Sequence, residues 1–115
     1  MSREAVFLVH KQLHFIFVMM KTTEEIVHIL AQHRPRLQAK YPIKTLAVFG
    51  SYARGTAGPE SDVDILVEFS GRVGMAFISL GDELEELLGQ RVGLVSRNGL
   101  KARHFERING ELIFC

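Results

Sequence analysis

From Thr22 onward the chain alternates between two hydrophobic periods. Ile26, Ile29, Leu30 and Leu37, with His33 among them, recur at helical spacing over residues 22–40. Thr22 and Glu25 have capping-box spacing and mark the start of that helix. Pro35 falls inside the pattern and predicts a kink or a division, because a proline ring removes one helical hydrogen bond. Tyr41-Pro42 then ends the helix. Ile43–Phe49 is a short apolar run of strand composition, closed by Gly50-Ser51. Gly55, Gly58 and Pro59 predict a loop. Beyond it, Val63, Ile65, Val67 and Phe69 alternate with Asp62, Asp64, Leu66 and Glu68, the period of a strand. Met75–Leu88 is a second long helix with Phe77, Leu80, Leu84, Leu87 and Leu88 on its apolar side. Its acidic run Asp82, Glu83, Glu85 and Glu86 reads as a solvated face. Arg91–Ser96 predicts a third strand, Leu100–Ile108 a last short helix and Leu112–Phe114 a terminal strand. Helices and strands in this order make a small α+β (or α/β) sheet domain.

Composition narrows the class without naming a function. The chain has 115 residues, enough for one domain with a modest core. Its 47% apolar and 23% charged residues are ordinary for a folded soluble protein, and a net charge of +1 gives no global pull toward nucleic acid or membrane. The single cysteine, Cys115, permits no intramolecular disulfide and suits a reducing cytoplasm. His10 and His14 have i, i+4 spacing but no third metal-ligand candidate nearby. Ala5–Met20 is apolar yet broken by His10, Lys11, Gln12 and His14. It is shorter than the ~20 residues of a membrane span, and a signal peptide's basic start and cleavage site are missing. Two readings of it stand: an element packing on the domain or on a second copy of the chain, or an upstream extension ahead of a natural start at Met19 or Met20. KTTEEI, which looks like the opening of a self-contained helix, favours the second.

The candidate chemistry lies in VFGSYARGTAGPESDVDILVEF, residues 48–69. A strand ending in Gly50-Ser51 suggests a tight turn into a helix N-terminus, whose free N–H groups bind phosphate oxygens. Gly50 lets a ligand approach the backbone, the Ser51 hydroxyl adds a donor, and Arg54 adds a positive charge. Read alone, the dipeptide favours a plain strand–turn–helix connection with a capping serine, since Gly-Ser is common in turns. Asp62 and Asp64 sit at alternate positions of a strand and face the same way, roughly 6.5–7 Å apart along the chain. Such carboxylates repel unless a cation or solvent compensates. Magnesium takes oxygen ligands, commonly one or two carboxylates with substrate phosphates and water. A strand-borne Asp-x-Asp beside a phosphate turn therefore suits a metal–nucleotide complex, with a two-ion displacement as one form of it.

Together these residues resemble the signature of the minimal nucleotidyltransferase family, Gly-Ser-x-x-x-Gly followed by Ser-Asp-x-Asp. That family belongs to the DNA polymerase beta-like nucleotidyltransferase superfamily. The resemblance extends from about Met20 to the C-terminus, making residues 1–19 an N-terminal extension and 20–115 the nucleotidyltransferase domain. It implies a small mixed sheet flanked by helices, Gly50 and Ser51 holding the nucleotide triphosphate, and Asp62 and Asp64 binding Mg2+ at the catalytic centre. It also implies an antitoxin role, in which AMP is transferred from ATP to a helical HEPN toxin. One position departs from the pattern: the family's third carboxylate, on the strand after the second long helix, aligns with Gly93 in ELEELLGQRVGLVS. Loss of a positioned general base costs about 10²–10⁴-fold in rate. Glu68, further along its strand, is a poor substitute.

Three functions follow from this reading. The first is Mg2+-dependent AMP transfer to a partner. The second is a catalytically impaired antitoxin that acts by binding, motivated by Gly93. The third is nucleic-acid binding through Arg97, Lys101, Arg103 and Arg107.

Overall fold

The computed structural model describes residues 21–115. The expectations for Ala5–Met20, for His10 and His14, and for a start at Met19 or Met20 lie outside the described residues. Helix α1 spans Thr23–Lys40, β1 Ile43–Phe49, the short α2 Gly50–Arg54, β2 Val63–Phe69, α3 Ala76–Leu88 and β3 Val92–Ser96. A single 3-10 turn at Arg97–Gly99 leads to α4, Ala102–Asn109, and β4, Ile113–Phe114. The strands form one mixed sheet in the order β3-β2-β1-β4. β1 runs antiparallel to β2 and β4, while β2 and β3 are parallel.

The helix periods translate directly into the core. Ile26, Leu30 and Leu37 of α1 and Leu80, Leu84 and Leu88 of α3 are fully buried. They join Leu46 and Val48 of β1 and Val63, Ile65 and Val67 of β2 in one cluster. Leu46 opposes Val67 and Val48 opposes Ile65, so these side chains share the sheet face that the two helices cover. The opposite face carries the alternate residues, among them the cross-strand pairs Phe49–Asp64 and Ala47–Leu66. Polar Asp64 thus stands on the face away from α1 and α3, on a strand held rigid by buried valines and isoleucine.

Pro35 neither divides nor ends α1, which continues to Lys40. The residue is exposed, as is Ala31, whose carbonyl loses its helical partner to the proline, so water can satisfy that group. Thr22 caps α1 by accepting the Glu25 N–H at 3.1 Å. The acidic run of α3 is only partly a solvated face. Glu83 accepts bonds from Lys40 Nζ at 3.0 Å and the Tyr41 hydroxyl at 2.9 Å, tying α3 to the end of α1. Glu85 accepts the Val92 N–H at 3.1 Å and so helps set where β3 begins.

Candidate active site

Gly50 is the first residue after β1, and its φ of +74° turns the chain into α2. A Cβ there would fall on Asp64 Oδ2, with Asp64 Cγ at 3.0 Å and its Cβ at 3.2 Å. Glycine is therefore demanded twice, by the backbone angle and by the closeness of Asp64. On its other side, Asp64 is aligned with Gly93 of β3. A Cβ on Gly93 would lie 2.8 Å from Asp64 Oδ1. The Asp64 carboxylate thus occupies a slot between two glycines, one at the end of β1 and one in β3.

Charges are arranged around that slot. Asp62 lies one residue before β2, half exposed, with Arg91 Nε 3.1 Å from its Oδ1. Arg91 is fixed in turn by donating from Nη2 to the Glu60 carbonyl at 3.0 Å. Arg54, the last residue of α2, donates from Nη1 to Glu111 Oε2 at 2.8 Å. Burial pushes the Asp64 carboxyl above its ordinary pKa, and the Asp62 charge pushes it further; Arg54 opposes the rise and Glu111 adds to it. Asp62, Asp64, Arg54 and Glu111 therefore share one electrostatic neighbourhood. Sequence reasoning placed the first three and missed Arg91 and Glu111. Arg91 had a faint signal in its place next to the third strand. Glu111 had none, because it lies 57 positions from Arg54 and reaches it only through the pairing of β4 with β1.

The turn itself is well anchored. Gly55 closes α2 in the left-handed conformation, and the Thr56 N–H donates to the Ser51 carbonyl at 2.9 Å. The Gly58–Ser61 segment is bonded to itself, Ser61 N–H to the Gly58 carbonyl and Gly58 N–H to Ser61 Oγ, each at 3.0 Å. That compact loop delivers the chain to Asp62. Tyr52 is buried, its carbonyl taking a 2.6 Å bond from Thr23 Oγ1 and its hydroxyl a 2.6 Å bond from Gln90 Nε2. With only five residues, α2 has little macrodipole, so the first-turn N–H groups that lack a partner within the helix are what it offers an anion. A cleft of about 300 Å³ opens beside it, lined by Lys21, Thr22, Thr23, Glu24, Tyr52, Gly55 and Ala57. In the basic C-terminal segment, Arg97 is engaged in the structure, stacked 3.8 Å over the Phe105 ring, while Lys101, Arg103 and Arg107 are exposed.

The model of the nucleotidyltransferase domain family matches residues 30–115. The chain belongs to this family. Among curated relatives, a protein adenylyltransferase, MntA, of Thermococcus cleftensis is 42% identical over 96 residues, spanning 83% of this chain and 97% of the relative. A solved structure ascribed to the minimal nucleotidyltransferases shares 38% identity with a TM-score of 0.59, covering 79% of this chain and 86% of the other. A toxin–antitoxin structure with AMP-PNP shares the fold, with a TM-score of 0.61 at 22% identity over 82% of this chain and 72% of the other. The mixed sheet with its helices is the nucleotidyltransferase fold expected from the motif.

In this nucleotidyltransferase the donor set for a cation is short. No group of three or more His, Cys, Asp or Glu side chains gathers at metal-ligating distance among the described residues. Asp64 packs against Gly50 and Asp62 lies near enough to raise its pKa, and a magnesium ion completes its shell with phosphate oxygens and water when so few protein ligands are available. The residues present fit one ion brought in with a nucleotide. Gly93 puts no side chain beside Asp64, whose Oδ1 leans into the space where one would begin. No helix among the described residues is long and apolar enough to cross a membrane.

Proposed function

We propose that this chain is a protein adenylyltransferase that binds ATP with Mg2+ and transfers AMP to a hydroxyl group of a partner protein, a HEPN-type toxin, as its cytoplasmic antitoxin. The observation that carries the reading is the packing of the Asp64 carboxylate against Gly50, which unites a phosphate-type turn with an acidic strand end. Gly50 and Ser51 present backbone N–H groups to the triphosphate, Arg54 supplies charge, and Asp62 and Asp64 would hold the ion. When bound, the ion neutralises charge that develops on the phosphates. The acceptor oxygen forms a bond to the α-phosphorus as the bond to the pyrophosphate oxygen breaks, and the acceptor proton passes to solvent or a nearby base. The name of the Thermococcus relative and the toxin–antitoxin setting of the structural neighbour support the acceptor class.

The test incubates the chain with α-labelled ATP, Mg2+ and a HEPN-type protein from the same organism. Label on that protein, lost in Asp62→Ala and Asp64→Ala variants, is the expected result; a stable complex that never becomes labelled would refute transfer. A second reading is favoured by Gly93, which stands beside Asp64 in register with no acid. In that reading the protein neutralises its partner by binding alone. Protection would then survive the Asp62→Ala, Asp64→Ala double substitution, and loss of protection with binding intact would rule it out.

A further inference from the structure

We propose that Glu111 is a positioning residue for nucleotide binding: it tethers the Arg54 guanidinium at the edge of the phosphate turn. The inference rests on the nucleotide reading above and adds a residue that the motif does not contain. The route to it starts in the fold. β4 has only two residues, yet it is pinned firmly. Val48 pairs with Ile113 and Ala47 with Phe114, and the Cys115 N–H donates to the Leu46 carbonyl at 2.9 Å. Arg34 Nη1 donates to the main-chain oxygen of Cys115 at 2.7 Å, fastening the same segment to α1. Upstream, the Glu111 N–H closes the turn after α4 by donating to the Ile108 carbonyl at 3.0 Å. The Glu111 main chain is thus anchored on both sides, which fixes where its carboxylate starts.

The two partners are unequal in freedom. The Glu111 side chain is 19% exposed and that of Arg54 54% exposed, so the acid is the fixed member and the arginine the held one. An arginine side chain carries several rotatable bonds, and ordering it on a ligand costs affinity unless something has already ordered it. A guanidinium has five donors in a planar fork, so a single bond from Nη1 to Glu111 leaves others to meet phosphate oxygens. The tether has an opposing effect: the Glu111 charge repels a triphosphate. Geometry and charge therefore act with opposite signs at one residue, and they can be separated.

Substituting Glu111→Gln removes the charge and keeps an acceptor for Arg54, whereas Glu111→Ala removes both. The measurement is calorimetric titration with a non-hydrolysable ATP analogue in Mg2+, with thermal unfolding confirming that each variant is folded. Glu111→Ala should bind the analogue roughly 2- to 12-fold more weakly than Glu111→Gln, the range for ordering one long side chain. In an Arg54→Ala background the same comparison should give a ratio near one, since no guanidinium remains to be held. Equal binding by the two variants with Arg54 present would overturn the proposal. So would a difference that persists without Arg54, which would mark Glu111 as a general support of the sheet edge. If the unaltered chain fails to bind the analogue at all, the nucleotide reading itself fails and this inference falls with it. Binding that is lost in Arg54→Ala but indifferent to residue 111 would refute the tether alone.

Discussion

Replacing Gly50 by alanine tests the slot around Asp64, and Gly55 supplies the control. Both glycines have nearly the same backbone angle, φ +74° and +76°. Alanine in the left-handed region costs about 1–2 kcal/mol, and about 0.4–1 kcal/mol of that is offset by the lower entropy of the unfolded chain. At Gly55 a Cβ would meet no atom within 4 Å, so Gly55→Ala should cost at most about 1.6 kcal/mol. At Gly50 the new methyl meets Asp64 Oδ2, Cγ and Cβ together. Oδ2 and Cγ would have to swing to another rotamer, whereas the Asp64 Cβ, on a strand paired on both sides, would be left in no more than a tight contact. Overpacking of this kind adds about 1–3 kcal/mol. For a chain of this size that gap corresponds to at least about 4 °C in Tm. Urea denaturation at neutral pH measures it directly. Repeating the pair in an Asp64→Ala background removes Oδ2 and Cγ, so most of the gap should close. Equal destabilisation by the two glycine substitutions, or a gap unchanged without the Asp64 carboxylate, would refute the packing argument.

Other consequences follow from the same neighbourhood. Because the folded pKa of Asp64 is raised, the native state binds more protons than the unfolded state above the ordinary carboxylate pKa, so ionising Asp64 lowers stability as pH rises through that window. Asp64→Asn should therefore have a higher urea midpoint than the unaltered chain at pH 7, with the advantage shrinking as the pH falls below the carboxylate range. Gly93→Asp must turn Asp64 Oδ1 aside and adds a like charge, so the free protein should lose stability while its Tm rises more steeply with Mg2+ than before. If the missing acid limits the reaction, the same variant should also transfer AMP faster, and an identical Mg2+ response in both proteins would argue against a restored ligand. Burial pushes the Cys115 thiol up to about 11, so it should react slowly with a disulfide reagent at pH 8 until the protein is unfolded. Rapid labelling of the native protein would contradict that burial.

The hydrophobic periods alone determined most of the element order. Helical spacing in residues 22–40 and 75–88 and alternation in 62–69 are local signals, and the same leucines, isoleucines and valines form the core. The motif was legible for a related reason: Gly50, Ser51, Arg54, Asp62 and Asp64 lie within fifteen positions, so their spacing carries the chemistry. Pro35 shows where a local rule stops, since its cost depends on whether the orphaned carbonyl meets water, and exposure is a tertiary property. The sequence also showed that residue 93 is glycine, but only the parallel register put Gly93 beside Asp64 and let the carboxylate lean into the vacated space. Glu111 is the clearest case. Nothing near it in the chain points to Arg54, and their meeting depends on a two-residue strand returning to the edge of β1. Contacts between neighbours in sequence follow from residue type and spacing, whereas contacts made by sheet closure exist only once the strands have chosen their partners.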